Sequence, residues 1–223
     1  MIIHKPIMAQ SYHSVKVMLI GAGNTGKTHI LHRIIGKYPP ENTQTYVDSN
    51  YQKKMNTMGT ECAVNLDIRD TVGQQHVREV VLREAIDYDT IVITSDVTRK
   101  TWESDIRFYL TELSRQKVKH PRKIIVALTK LDELRMEEES TPSSSSDSHD
   151  KRKKSPKRSL VYKDEDTAKK VEKLENLVQT QYGFELFKVS AKENTNIKFL
   201  VDAIVKDTAV WPSAKNSCGC IIQ

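Results

Sequence analysis

The stretch GAGNTGKT, residues 21–28, constrains this chain more than any other. It fits G-x-x-x-x-G-K-[ST], with Gly21, Gly26, Lys27 and Thr28 at the fixed positions. Before it, Val15, Val17, Leu19 and Ile20 read as a buried strand; after it, Ile30, Leu31, Ile34 and Ile35 recur at helical spacing. A loop between a strand and a helix start gathers N–H groups that have no intrahelical partner at the positive end of the helix dipole. An anion held by both is stabilised there. Glycines let the backbone approach the ligand, Lys27 supplies a point charge for terminal phosphates, and the Thr28 hydroxyl can ligate Mg²⁺. Alone, the motif specifies a nucleotide but neither which one nor to what end.

The formal charge of +6 invites a nucleic-acid reading, but the charge is local. Residues 151–158, KRKKSPKR, hold six basic side chains and no acid; without them the basic residues fall from 35 to 29, equal to the 29 acids. The body is neutral and no nucleic-acid partner is implied. Of three cysteines, Cys62 lies inside an apolar alternation and Cys218 and Cys220 near the C-terminus, so no disulfide framework is implied. No run approaches the roughly 18 apolar residues of a membrane span, and residues 1–14 have no signal-peptide core. The chain is expected to start out cytosolic.

Along the chain, 223 residues fit one domain with extensions. Residues 1–13 read as an N-terminal extension, 14–211 as the domain, and 212–223 as a tail. The first helix is expected to stop at Gly36 in a left-handed cap. A polar loop, 38–50, leads into a hairpin: Tyr51 to Asn56, a turn at Met58-Gly59-Thr60, then Cys62, Val64, Leu66 and Ile68 in alternation. A helix through Val77, Val80, Val81 and Ala85 follows. From Thr90 onward strands and helices alternate: 90–94, a helix through Trp102 to Leu113, 123–129, a helix through Val171 to Tyr182, then 184–190. A last helix carries Asn196 as N-cap and Ile197, Leu200, Val201, Ile204 and Val205 on one face. Residues 135–160 have almost no apolar side chains and read as a flexible insertion. The expectation is an α/β fold of the P-loop NTPase kind: a mostly parallel six-stranded sheet with one antiparallel edge strand and helices on both faces. Ligands then sit beyond the carboxyl ends of the strands.

Each strand end offers something to a nucleotide. Asp70 opens a D-x-x-G whose carboxylate can hold Mg²⁺ through water while the Gly73 N–H reaches a γ-phosphate. The Gln74 amide both donates and accepts, which suits orienting a water for in-line attack; the plainer reading is that Gln74 and Gln75 solvate a helix start. In TKLD, residues 129–132, Asp132 can accept from the guanine N1–H and exocyclic amine, and Lys130 can lie along the base. With adenine that carboxylate would be left unpaired, worth on the order of two to four decades of discrimination. A strand ended by a charged turn is the competing reading. In SAK, residues 190–192, the Ala191 N–H can donate to guanine O6.

These motifs occur in order at successive strand ends, and the chain resembles the Ras-like small GTPases over essentially all of residues 14–210. The T-K-L-D form and the insertion after it are more similar to the Rho/Rac branch. The resemblance implies that Gly21, Ala22, Gly23, Asn24, Thr25, Gly26, Lys27 and Thr28 hold the phosphates of GTP or GDP. It implies that Thr45, in ENTQTYVD, meets Mg²⁺ and the γ-phosphate, so that Thr28, Thr45 and Asp70 serve the metal. Asp70, Gly73 and Gln74 form the second switch, with Gln74 catalytic, and Thr129, Lys130, Asp132, Ser190, Ala191 and Lys192 form the guanine pocket. Gly23 keeps a position where a side chain would impede hydrolysis. The implied activity is GTP hydrolysis, slow without an activating protein that supplies an arginine. Implied partners are an exchange factor, an activating protein, effectors and a dissociation inhibitor.

Departures accompany the likeness. Val72 replaces the family's alanine, Gln75 its acid, Arg69 the aromatic before the aspartate, and Asn42 and Gln44 an aromatic and a proline. Val72 is expected to slow exchange or hydrolysis by stiffening the peptide before Gly73. Tyr38, one residue out of the family spacing, is a candidate to stack on the base. Residues 220–223, CIIQ, fit a prenylation signal on Cys220, with Cys218 as a palmitoylation candidate, because one lipid chain anchors only marginally. That places the chain on the cytoplasmic face of a membrane, the plasma membrane favoured, with a cytosolic pool. KRKKSPKR can serve anionic lipid, nuclear import or solvation alone. Three functions stand: a hydrolysing switch, a nucleotide-bound scaffold with little turnover, and an ATPase or small-molecule kinase, which T-K-L-D disfavours.

Overall fold

The computed structural model describes residues 12–39, 45, 47–56, 63–116, 123–134 and 165–206. The apolar runs form six strands: β1 (Tyr12–Ile20), β2 (Ser49–Asn56), β3 (Ala63–Asp70), β4 (Thr90–Asp96), β5 (Lys123–Thr129) and β6 (Glu185–Lys188). Five helices accompany them: α1 (Lys27–Ile34), α2 (Arg78–Glu84), α3 (Trp102–Arg115), α4 (Glu165–Asn176) and α5 (Ile197–Val205). The sheet runs β2-β3-β1-β4-β5-β6, with β2 antiparallel to β3 and every other pairing parallel. The expected architecture is therefore the observed one.

Period-two alternation assigns the buried strand side chains to one or the other of two cores. Met18, Ile20, Ile91, Ile93, Val126 and Leu128 face α2, α3 and α4, packing on Leu82, Ile106, Leu110 and Leu174. Val17, Leu19, Leu66, Val92 and Ala127 face the other way, against Ile30, Leu31 and Ile34 of α1 and Leu200 and Ile204 of α5. Each fully buried Leu or Ile contributes about 1.5–3 kcal/mol, so the sheet centre is rigid and its carboxyl edge is a fixed platform. Register aligns that edge: Leu19 pairs with Asp70, Ile20 with Ile93, and Asp96 with Thr129.

Helix α1 ends as the sequence predicts. Gly36 has φ +81°, its N–H reaches the Arg33 carbonyl at 3.1 Å, and the Lys37 N–H reaches that of His32 at 2.8 Å. Those two bonds satisfy carbonyls that a helix end leaves open.

Other boundaries move. Strand β2 starts at Ser49 rather than Tyr51, and β6 is shorter than 184–190. Val80 is exposed, because α2 turns Val81 and Leu82 to the sheet instead. The helix expected through Tyr182 stops at Asn176 and passes into a π-helical turn, Leu177–Gln181. Asn196 does not cap α5 with its side chain: it is left-handed at φ +59°, and its amide donates to the Lys188 carbonyl at 2.7 Å instead. Tyr12 and His13, read as the end of the N-terminal extension, open β1 instead, pairing with Ala63 and Val64 of β3. Residues 1–11, Asn42, Gln44, the turn at 58–60, Cys62, the 135–160 insertion with KRKKSPKR, and Cys218 and Cys220 lie outside the described residues.

Candidate nucleotide-binding site

The segments that follow the carboxyl ends of β1, β3, β5 and β6 line a cavity of about 860 Å³, the size range of small-molecule sites. Lys27 and Asp132, 105 positions apart in the sequence, line this same cavity, together with Gly23, Asn24, Thr28 and Thr45. Gly26, Gly73, Gln74, Thr129, Lys130, Ala191 and Lys192 complete the predicted residues that reach it.

Lys27 is 5% exposed, and its ammonium donates to the carbonyls of Gly21 at 3.1 Å and Ala22 at 2.9 Å. Burial, partly opposed by the Asp70 carboxylate, brings its pKa down from 10.5 to about 8. An anion at the loop would restore it. Ala22 and Thr25 do not line the cavity: they are buried beneath the loop, where the Thr25 hydroxyl bonds the Ala22 carbonyl at 2.9 Å and meets the Thr94 hydroxyl at 2.8 Å. Gly21 packs so closely on Thr94 that a Cβ there would collide with it. These three residues shape the cradle from behind.

Beside Lys27, three oxygens from three segments converge. The Thr28 hydroxyl lies 2.5 Å from that of Thr45 and 2.6 Å from Asp70 Oδ2. Asp70 is 1% exposed and its Oδ1 is buried with no partner among the described residues. Burial holds the Asp70 carboxyl above its ordinary pKa, against the Thr28 hydrogen bond and the Lys27 charge. A hard oxygen donor set with an orphaned carboxylate oxygen fits Mg²⁺. Gly73 closes this end. A Cβ on it would stand 2.5 Å from the Lys27 ammonium and 2.6 Å from the Gly23 nitrogen, so no side chain is admissible. At Gly23 a Cβ would make only ordinary contact, 3.6 Å from the Gly73 carbonyl. Gln74 is exposed at the cavity rim, just before the turn that opens α2.

At the other end Asp132 is held in place. The Ser190 hydroxyl, fully buried, donates to Asp132 Oδ1 at 2.5 Å and accepts the Glu193 N–H at 3.1 Å. Ser190 thus stands behind the carboxylate and does not line the cavity. Lys130 is left-handed at φ +59°, and its ammonium pairs with Asp96 at 2.7 Å. The Thr129 hydroxyl lies 2.8 Å from the Thr25 carbonyl, tying the base end to the phosphate loop. Tyr38 and Pro39 both reach the cavity, but the Tyr38 ring is already covered by the Arg33 guanidinium, 4.5 Å from its centroid.

Sequence reasoning missed three positioning groups. Arg33, on α1, donates to the carbonyls of Ala191 at 2.5 Å and Lys192 at 2.7 Å, fixing the SAK loop. Arg99 donates to the Gly23 carbonyl at 2.7 Å. Asp48, three residues after Thr45, accepts from Arg69 at 2.6 Å and from the Val72 N–H at 2.7 Å, and Arg69 also meets Glu84 at 2.7 Å. The arginine that replaces an aromatic thereby joins the two loops that carry Thr45 and Gly73. Only the unusual Arg69 was visible as a signal; the other bonds cross long separations without a local pattern.

A family profile described as "Ras family" matches residues 16–209. Among curated proteins the chain is similar to "Ras-related protein Rab-7b" of Bos taurus, 31% identical over 99 residues, which cover 41% of this chain and 49% of that protein. The match thus spans about half the length of that relative.

Proposed function

The chain belongs to the Ras family of small GTPases, and from that premise we propose that it is a GTP-binding and GTP-hydrolysing switch. The observation that carries this reading is the single cavity lined at one end by Lys27 and at the other by Asp132. Within it, Gly23, Asn24, Gly26, Lys27 and Thr28 hold the phosphates over the buried Gly21, Ala22 and Thr25, Asp132 and the Ala191 N–H read guanine, and Lys130 flanks the base. Thr28, Thr45 and Asp70 would hold Mg²⁺, which when bound would neutralise charge on the phosphates. Gln74 orients the attacking water. Its oxygen bonds to the γ-phosphorus as one of its protons passes to a phosphoryl oxygen, the bond to the β-phosphate oxygen breaks, and GDP and protonated inorganic phosphate leave. Among the described residues no arginine lines the cavity, so fast turnover calls for one from an activating protein, worth about three to five decades.

The γ-phosphate brings Thr45 and Gly73 to a common ligand, and its loss releases them, which is how partners would tell the two states apart. Those partners are an exchange factor, an activating protein, effectors and a dissociation inhibitor. The T-K-L-D sequence and the insertion at 135–160 support a Rho/Rac-like branch with a cytoskeletal signalling role, while the partial likeness to a Rab-related protein speaks for another. Exchange catalysed by Rho-type but not Rab-type exchange factors is the outcome that this assignment requires. Lipid attachment at Cys220 and Cys218, on the cytoplasmic face of a membrane, belongs to the same proposal; loss of membrane label in Cys220→Ser tests it.

One observation favours the second reading, a nucleotide-bound scaffold. The Val72 N–H, one peptide before the one that carries the Gly73 N–H, is already held by Asp48 at 2.7 Å. Single-turnover hydrolysis of GTP with Mg²⁺ decides: phosphate release that an activating protein accelerates supports the switch. No release even with that protein supports the scaffold.

A further inference from the structure

We propose that Arg99 is a positioning residue for hydrolysis: it holds the Gly23 carbonyl outward and so turns the Asn24 N–H into the nucleotide cavity. This rests on the hydrolytic reading above and names a part of the machinery outside the family motifs. Arg99 Nη1 donates to the Gly23 oxygen at 2.7 Å from a residue 76 positions away. No described peptide bond is cis, and in a trans peptide the C=O and the next N–H point in opposite directions. Fixing the Gly23 oxygen on the Arg99 side therefore aims the Asn24 N–H the other way. Asn24 lines the cavity, and no described residue accepts its N–H.

The same residue needs a tether. Asn24 has φ +61°, a left-handed conformation that side chains disfavour and that persists only where the surroundings enforce it. Arg99 is itself held in place. Asp96, at the end of β4, accepts the Thr98 N–H at 2.9 Å and hydroxyl at 2.7 Å, and its carbonyl accepts the Arg99 N–H at 3.2 Å. The other Asp96 oxygen pairs with Lys130 at 2.7 Å, so one carboxylate braces both the base end and the arm that carries Arg99. Arg99 does not line the cavity. It acts through the peptide, and secondarily by adding positive charge near Lys27.

A preorganised N–H is worth most where charge develops during bond breaking. Arg99→Ala is therefore expected to slow single-turnover hydrolysis by about 10- to 100-fold, while GDP affinity changes by less than about threefold. Arg99→Lys keeps the charge but lacks the planar fork, and is expected to recover only part of the rate. The decisive variant is Arg99→Ala with Asn24→Gly. Glycine takes the left-handed conformation without strain, so the pair is expected to hydrolyse faster than Arg99→Ala alone. In parallel, the Asn24 amide proton shift on binding GDP is read by NMR in wild type and Arg99→Ala. An unchanged rate in Arg99→Ala overturns the proposal, as does full activity of Arg99→Lys with no rescue by Asn24→Gly, which leaves only a charge effect. A wild-type protein that binds GDP but never hydrolyses GTP sinks the hydrolytic reading instead. In that case a nucleotide-induced Asn24 shift that depends on Arg99 still supports the latch, and one indifferent to Arg99 overturns it.

Discussion

The two ends of the cavity are built differently. At the base end the recognition side chains already have partners, Asp132 in Ser190 and Lys130 in Asp96, and the SAK carbonyls are held by Arg33 of α1. At the phosphate end Asp70 keeps a buried unpaired oxygen, Lys27 is charged at a cost from burial, and Gln74 is exposed on a loop. Groups that select a ligand gain from being fixed beforehand. Groups that report which ligand is bound gain from being completed by it. The contrast predicts that damage at the base end changes affinity, whereas damage at the phosphate end changes rates and switching.

The largest effect is expected at Asp132. Asp132→Ala removes the acceptor for two guanine donors and should weaken GDP binding by about two to four decades, measured by displacement of a fluorescent analogue. Retained affinity would break the account of the base end. Next is Gly73→Ala, whose Cβ has no room beside Lys27 and the Gly23 nitrogen. Hydrolysis should fall by about 100-fold with GDP affinity nearly intact; parallel losses in both would erase the distinction between the two ends.

Arg33→Ala frees the SAK loop by removing two bonds to its carbonyls. GDP release should accelerate by about 10-fold, seen in stopped-flow dissociation, without slowing the hydrolytic step.

Lys27 gives the comparison a pH signature. Its pKa of about 8 in the free protein rises when phosphate binds, so below pH 8 both forms carry the charge and affinity is flat. Above it the free form has lost a proton that the complex keeps, and affinity should fall by up to about tenfold per pH unit. The unfolded chain holds that proton to its ordinary 10.5, so over the same window this group makes the nucleotide-free fold more stable as pH rises. Titrating GDP affinity and thermal stability together from pH 7 to about 10 should show the two moving in opposite directions. The smallest effect belongs to Asp48→Asn, which weakens the Arg69 pair. Arg69 and Asp48 are partly exposed, so exchange should change only about two- to fivefold and lose its salt dependence.

Much of this was legible in the sequence because it is written in local runs. Period-two and helical spacing gave both cores and all six strands, and each motif sits at a strand end where hydrogen-bonding chemistry follows from residue type. What escaped is the bracing. Arg33 reaches Ala191 across 158 residues and Arg99 reaches Gly23 across 76, each through a backbone carbonyl that any residue offers. The SAK motif marks Ser190 as a guanine contact, yet its hydroxyl is spent on Asp132. Asn196 has the composition of a cap, but the Lys188 carbonyl offers its amide a better-placed partner. In both cases tertiary geometry decided between two hydrogen bonds that the sequence permits equally.

The central claim is that one mononucleotide spans from Lys27 to Asp132. Competition of GTP and ATP for the purified protein with Mg²⁺, read by displacement of labelled GDP, tests it most directly. The account predicts that GTP displaces the label at concentrations at least about 100-fold below those of ATP, and that Asp132→Ala abolishes the preference. Equal displacement by the two nucleotides, or a preference untouched by that substitution, would contradict it.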